Sequence, residues 1–284
     1  MLHFKEPCDL AINFKNLTKV DSFNSNLQKI VLFKHLSLGK ILVINNEVQH
    51  VERWSPFYHE MVTHLPISFI PNIKNVLILG GGSLYAASEI LKYPTIRKID
   101  LVDHDKSVID MVVKYYPHAQ KAHNDKRLNI FINDAFLEIE QSCEKYDLII
   151  NDSVDLIEHG RTLSKDLIKI LCEKLSENGI CSDLIYRHIF EEKTIQRTFK
   201  KLRGIYYSNY TLITIPEYPG IFHILCFWSN TNKYLEKTNI RNITQKQWMR
   251  KSMNPFLFYN PNVIKYYLYK PPYLKTYTKA YNYT

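Results

Sequence analysis

The residues best suited to chemistry are three carboxylates and a glycine turn, each closing a short apolar run. Asp103 follows Ile99 to Val102, Asp134 follows Leu128 to Ile132, and Asp152 follows Leu148 to Ile150. Gly80, Gly81, Gly82 and Ser83 end the run Val76 to Leu79. In an open parallel α/β sheet the carboxyl ends of the strands line the ligand crevice, so this order predicts that the acids and the glycines share one edge. Glycines let the backbone approach a ligand closely. An acid about 20 residues beyond such a turn is placed to bind ribose hydroxyls, the role expected of Asp103. The turn lacks the spaced glycines of a dinucleotide fingerprint, because Ser83, Leu84 and Tyr85 stand where a diphosphate needs clear backbone. A nucleoside half-site without a diphosphate cradle suits an adenosyl sulfonium, S-adenosylmethionine or its decarboxylated form.

The elements that position these groups follow from periodicity. Residues 1 to 65 predict a small N-terminal antiparallel β domain. Its strands run over Lys29 to Phe33 and Lys40 to Ile44, with a hairpin turn at Asn45-Asn46. A helix over Tyr58 to Leu65 follows, broken by Pro66 and Pro71. Residues 66 to 284 predict an α/β, Rossmann-like S-adenosylmethionine-binding domain. Ser83 is expected to cap a helix over Leu84 to Leu91, and Pro117 to end a helix over Lys106 to Tyr115. Further helices are expected over Leu163 to Leu175 and Glu191 to Leu202. Strands are expected over Ile180 to Ile185, Tyr210 to Ile215 and Phe222 to Trp228. An aromatic tail follows.

Composition narrows the class. The chain has 284 residues, a formal net charge of +9 and five cysteines, the last scattered without metal-ligand spacing and expected to be reduced. No run of apolar residues is long enough to span a bilayer and the amino end has no signal-peptide pattern, so a cytoplasmic protein is expected. Basic residues are spread out and no nucleic-acid motif accompanies them, which argues against nucleic acid and fits anionic small molecules. His59-Glu60 opens like a zincin helix, but His64 comes one residue too late, so no metal is expected and the histidines read as packing or interface residues.

Taken together, the chain resembles the polyamine aminopropyltransferases, the spermidine synthase family, from roughly residue 27 to 275. The segments that carry this are VQHVERWSPFYHEMVTHLPI (Val48 to Ile67), GGGS, Asn133-Asp134, NDSVD (Asn151 to Asp155), TIPEYPG (Thr214 to Gly220) and Tyr259-Asn260-Pro261. The resemblance implies a homodimer. It implies Asp103 on the ribose, Asp134 on the adenine amino group and Gln49 near the sulfonium. Asp152 would take the proton of an attacking amine, with Tyr58 and Tyr218 near the reacting atoms and Asp155 and Glu217 on the acceptor side.

The departures shape the functional expectation. The family usually carries Asp at the fourth position of the glycine turn, on the amino group of the decarboxylated donor; here it is Ser83. An Asp would repel the carboxylate of intact S-adenosylmethionine by about 1 to 4 kcal/mol in a partly desolvated site. Ser83 therefore predicts transfer of a 3-amino-3-carboxypropyl group from the intact donor. Asp155-Leu156 replaces the usual Asp-Pro, and Trp54, Ser55 and Pro56 replace an acidic stretch. The pattern is similar to the branch that decorates the phosphate of the peptide-nucleotide antibiotic microcin C, which implies such an acceptor and a partner decarboxylase. Spermidine synthesis from putrescine with the decarboxylated donor, methyl transfer and an idle binding subunit are the alternatives.

Overall fold

Alternating apolar residues build the first sheet. The computed structural model describes residues 2–5, 11–70, 72–153, 165–187, 200, 207–218, 222–231, 235 and 256–270. Strands β1 (Leu2–Lys5) and β2 (Ala11–Phe14) form an antiparallel pair. Strands β3 (Thr18–Asn24), β4 (Lys29–His35), β5 (Gly39–Ile44) and β6 (Glu47–Val51) form an antiparallel sheet in chain order. Asn45 and Asn46 close the β5–β6 hairpin at φ 51 and 67, the left-handed conformation that a two-residue turn requires and Asn tolerates. Ile30, Leu32 and Leu42 face the large core, whereas Val31, Ile41 and Val43 face a smaller cluster on the other side.

Helix α1 (Ser55–Ile67) leads from this sheet to the next, carrying the chain through residue 65. Pro66 does not break it, contrary to expectation, and lies in the last turn. Its ring removes the hydrogen bond that the Val62 carbonyl would receive. The Ser182 hydroxyl reaches that carbonyl instead, at 3.5 Å, and the Ser68 N–H closes the end on His64.

The second sheet is mixed. It contains β7 (Asn75–Gly80), β8 (Lys98–Asp103), β9 (Leu128–Ile132), β10 (Tyr146–Asp152), β11 (Leu175–Arg187), β12 (Tyr207–Thr214) and β13 (Phe222–Ser229), in the order β12-β13-β11-β10-β7-β8-β9. The run β11-β10-β7-β8-β9 is parallel, with β12 and β13 antiparallel at one edge. This is the expected Rossmann-like α/β architecture beside an antiparallel sheet. Among the described residues the further α-helices are α2 (Tyr85–Ile90), α3 (Lys106–Tyr115), α4 (Pro117–His123), α5 (Ala135–Gln141), α6 (Lys165–Glu173) and α7 (Ile264–Tyr267). One core covers the α1 side of the sheet and a second covers the other, where Cys172, Cys181 and Cys226 are buried outside any disulfide.

The structure corrects or adds to the sequence reading at four places. Leu84, not Ser83, is the cap residue of α2, in the left-handed region at φ 56. Pro117 ends α3 but also starts α4, where its fixed φ and missing N–H cost nothing. Asp134 opens α5, a helix whose periodicity is too short to read. The chain beyond α6 turns into strand at Leu175, and the residues around Asn178-Gly179 are bulged out between the pairs Tyr146–Leu175 and Leu148–Ile180. A Cβ on Gly179 would stand 2.6 Å from the Tyr146 carbonyl oxygen, which is why glycine occupies the bulge. The expected helix over 191–202 lies outside the described residues apart from Lys200. No helix among the described residues is long and apolar enough to cross a membrane.

Candidate active site

The glycine turn lies between two carboxylates. A Cβ built on Gly81 would meet Asp152 Oδ2 at 3.4 Å, and one on Gly82 would meet Asp103 Oδ2 at 2.8 Å. Gly80 and Gly81 have φ of +77 and +78, and a Cβ on Gly80 would lie 2.7 Å from the Asp152 carbonyl oxygen. Sequence and packing thus demand glycine here for both conformation and space. Replacing Gly82 by Ala pushes on the Asp103 carboxylate, and we expect it to weaken binding of an adenosine-bearing ligand at least about tenfold, the order of one lost charge-assisted hydrogen bond. Titration calorimetry with methylthioadenosine measures this.

The two acids differ in their surroundings. Asp103 is buried, which raises its pKa, and the N–H groups of Asp105 and Gly82 oppose that shift. Asp105 N donates to Asp103 Oδ1 at 3.1 Å. Burial pushes the Asp152 carboxyl up to about 7; the Asp103 charge adds to the rise, and a hydrogen bond from Tyr58 works against it. Helix α1 supplies that bond, with the Tyr58 hydroxyl donating to Asp152 Oδ1 at 2.7 Å. Burial and Asp152 hold the Tyr58 phenol well above its ordinary range, so it stays a donor. The result is a carboxyl poised near neutrality beside a glycine-lined bend, the arrangement a general base needs.

Ser83 faces two imidazoles, His59, which the sequence reading set aside, and His118, which it missed. Its Oγ lies 3.4 Å from His59 Nε2, and its carbonyl oxygen lies 3.1 Å from His118 Nε2. His59 Nδ1 is 2.9 Å from the Ser55 carbonyl oxygen. A carbonyl oxygen only accepts, so His59 carries its proton on Nδ1 and His118 carries its own on Nε2. Each ring keeps a lone pair on the remaining nitrogen. Burial lowers both pKa values to about 4, so both rings are neutral at pH 7. Tyr85 closes the group, its ring centroid 4.8 Å from that of His59 and 4.7 Å from that of His118. His64, in contrast, packs in the core against Glu89 and Tyr93, as expected.

The remaining candidates are distributed. Asp134 stands one strand farther out than Asp103, with the Asn133 N–H bonded to the Asp103 carbonyl. Its exposed carboxylate caps α5, accepting from the N–H groups of Phe136 and Leu137 at 2.8 and 3.2 Å. Tyr218 packs against the large core and raises the Tyr58 pKa further. Gln49 is half-buried on β6. Glu217 is buried beside that strand, accepts the Val51 N–H, and is pushed up to about 7 by burial. Asp155 lies outside the described residues. Gln28 was missed by the sequence reading. Together with Ser25 it reaches Asp105 from the β3–β4 turn, at 3.2 and 2.6 Å, tying the small sheet to the end of β8.

Comparison with known proteins agrees with this geometry. The family model described as the spermine/spermidine synthase domain matches residues 55–238. A polyamine aminopropyltransferase of Buchnera aphidicola from Acyrthosiphon pisum is 34% identical over 253 residues, covering 87% of this chain and 86% of that protein. Putrescine N-methyltransferase 2 of Nicotiana tabacum is 32% identical over 253 residues, covering 85% of this chain and 70% of that protein. The crystal structure of spermidine synthase from Thermotoga maritima has a similar fold, with a TM-score of 0.77 at 22% identity over 92% of this chain and 87% of that one.

Proposed function

Because the chain belongs to the spermine/spermidine synthase family, we propose that it transfers the aminopropyl group of a decarboxylated S-adenosylmethionine donor to an amine such as putrescine. The acceptor nitrogen attacks the carbon of the propyl chain bonded to sulfur, that C–S bond breaks, and its electron pair neutralises the sulfonium. The nitrogen must lose a proton, and Asp152 takes it. A pKa near 7 suits that task at neutral pH, and the positive sulfonium offsets part of the rise when donor is bound. Tyr58 orients the carboxylate. Positioning supplies much of the rate, because a sulfonium is already a good leaving group.

The observation that carries the choice of donor is the His59 Nε2 lone pair, which faces Ser83 Oγ at 3.4 Å. A neutral nitrogen that can only accept welcomes the ammonium of a decarboxylated donor and repels the carboxylate of an intact one. The Tyr85 ring adds an aromatic surface that favours a cation. The aminopropyltransferase and the putrescine N-methyltransferase relatives are both named for reactions on amines, which supports a nitrogen acceptor. A phosphate of the peptide-nucleotide kind is already anionic and gives a base nothing to do, so the Asp152 environment favours the amine.

Ser83 supports a second reading, in which intact S-adenosylmethionine is used for methyl or aminocarboxypropyl transfer. The nucleoside product separates the two. Aminopropyl transfer from the decarboxylated donor yields methylthioadenosine in proportion to amine consumed. Chromatography that finds S-adenosylhomocysteine from the intact donor, or methylthioadenosine from the intact donor alone, rejects the first reading.

A further inference from the structure

Parallel pairing of β10 with β11 places Asn151 opposite Asp183. Both side chains lie on the face away from α1, since side chains alternate along a strand and Asp152 points to the α1 side with Tyr58. Asn151 Nδ2 donates to Asp183 Oδ2 at 2.9 Å. Asn151 Oδ1 then accepts from the Ser153 hydroxyl at 2.9 Å and the Ser153 N–H at 3.4 Å. Asp152 is the residue between. Asp183 is 5% exposed on a sheet face where Cys181, Cys226 and Ile149 are buried, so only a specific partner repays its burial.

We propose that Asp183 is a positioning residue for Asp152, holding from the opposite face of the sheet the Asn151–Ser153 turn on which that carboxylate is carried. The inference rests on the reading of Asp152 as proton acceptor. Asp183 also acts through its charge. The groups around it are Asp152 and Tyr58 toward α1 and the thiols of Cys181 and Cys226 on β11 and β13, with Lys270 reaching the Cys226 environment. Burial raises both thiols far above neutrality, so they are uncharged. Burial and Asp152 push Asp183 up to about 7. Near neutrality an ionised Asp183 makes it harder for Asp152 to ionise, because like charges disfavour one another.

The test is the pH profile of kcat/KM for the full chain with decarboxylated donor and putrescine, compared with Asp183→Asn and Asp183→Ala. Asn keeps an oxygen for the Asn151 amide and removes the charge. It should leave the high-pH plateau within about threefold and move the acidic limb to lower pH. Ala removes the acceptor, and its plateau kcat should fall at least about tenfold with donor KM unchanged, the order of one lost charge-assisted bond. Unmoved limbs with equal plateaus in both variants overturn the proposal. If Ala fails to fold, the Asn limb alone decides. A wild-type enzyme with no amine-dependent turnover rejects the functional reading instead, so the two failures are distinct. Thermal melting of Asp183→Asn gives a further check. The raised native pKa stabilises the wild type at low pH and that stability is lost as pH rises from about 4 through about 7, so the variant should gain melting temperature over wild type at pH 8 and not at pH 4.

Discussion

Asp152→Asn lowers kcat by about 10²- to 10⁴-fold, the span ordinarily supplied by a positioned base. The substitution keeps an oxygen for the Tyr58 hydroxyl and the volume of the side chain, so folding and donor binding should persist. The wild-type profile of kcat/KM for the donor should rise with pH through an acidic limb near 7, as the Asp152 carboxyl of the free enzyme loses its proton, and the limb should disappear in the variant. Tyr58→Phe supplies the sign check. The Tyr58 hydrogen bond favours the ionised carboxylate, so its loss moves the limb to higher pH and lowers the rate most at acidic pH. A limb that moves downward, or an Asn variant with nearly full activity, removes Asp152 from the proton transfer.

Glu60→Ala should destabilise the fold by about 1 to 3 kcal/mol, the range for leaving a buried backbone donor unsatisfied. Glu60 is 1% exposed on α1, one residue after His59. Its carboxylate accepts three backbone N–H groups, from Leu257 at 2.9 Å, Phe258 at 2.8 Å and Tyr259 at 2.7 Å. This clamp seats Phe256 and Tyr259 against His64, and α7 follows with Ile264 and Leu268 in the large core. Chemical denaturation measures the loss. Because Tyr58 and His59 sit on the same helix turn, activity should fall with it even under conditions where the variant stays folded. Unchanged stability would mean that the segment 256–270 is held by its aromatic packing alone.

The site was legible in the sequence to the extent that strand order dictates it. Val76 to Leu79 ending in three glycines, and apolar runs ending in Asp103 and Asp152, fix positions on one edge as soon as the strands are parallel. The roles of single side chains were less legible. An Asp after a strand and before a helix reads the same whether it binds a ligand or caps the helix, and only the structure shows the cap bonds to Asp134 Oδ1. Pro117 reads as a stop, which hid α4 and with it His118, although proline is equally at home in a first turn. His59 was set aside because its spacing to His64 excludes a shared metal, yet its partner is Ser83. Asp183 stands inside an apolar strand, and its meaning depends on the register with Asn151, which no local pattern reveals. Ser83 alone pointed to an intact donor; the His59 lone pair that faces it, visible only in three dimensions, points to the decarboxylated one.

The most direct test offers the protein putrescine with an equimolar mixture of intact and decarboxylated S-adenosylmethionine and weighs the amine product by mass spectrometry. A product heavier by one aminopropyl group is the predicted result. A product heavier by a methyl or an aminocarboxypropyl group, or putrescine left unchanged, contradicts it.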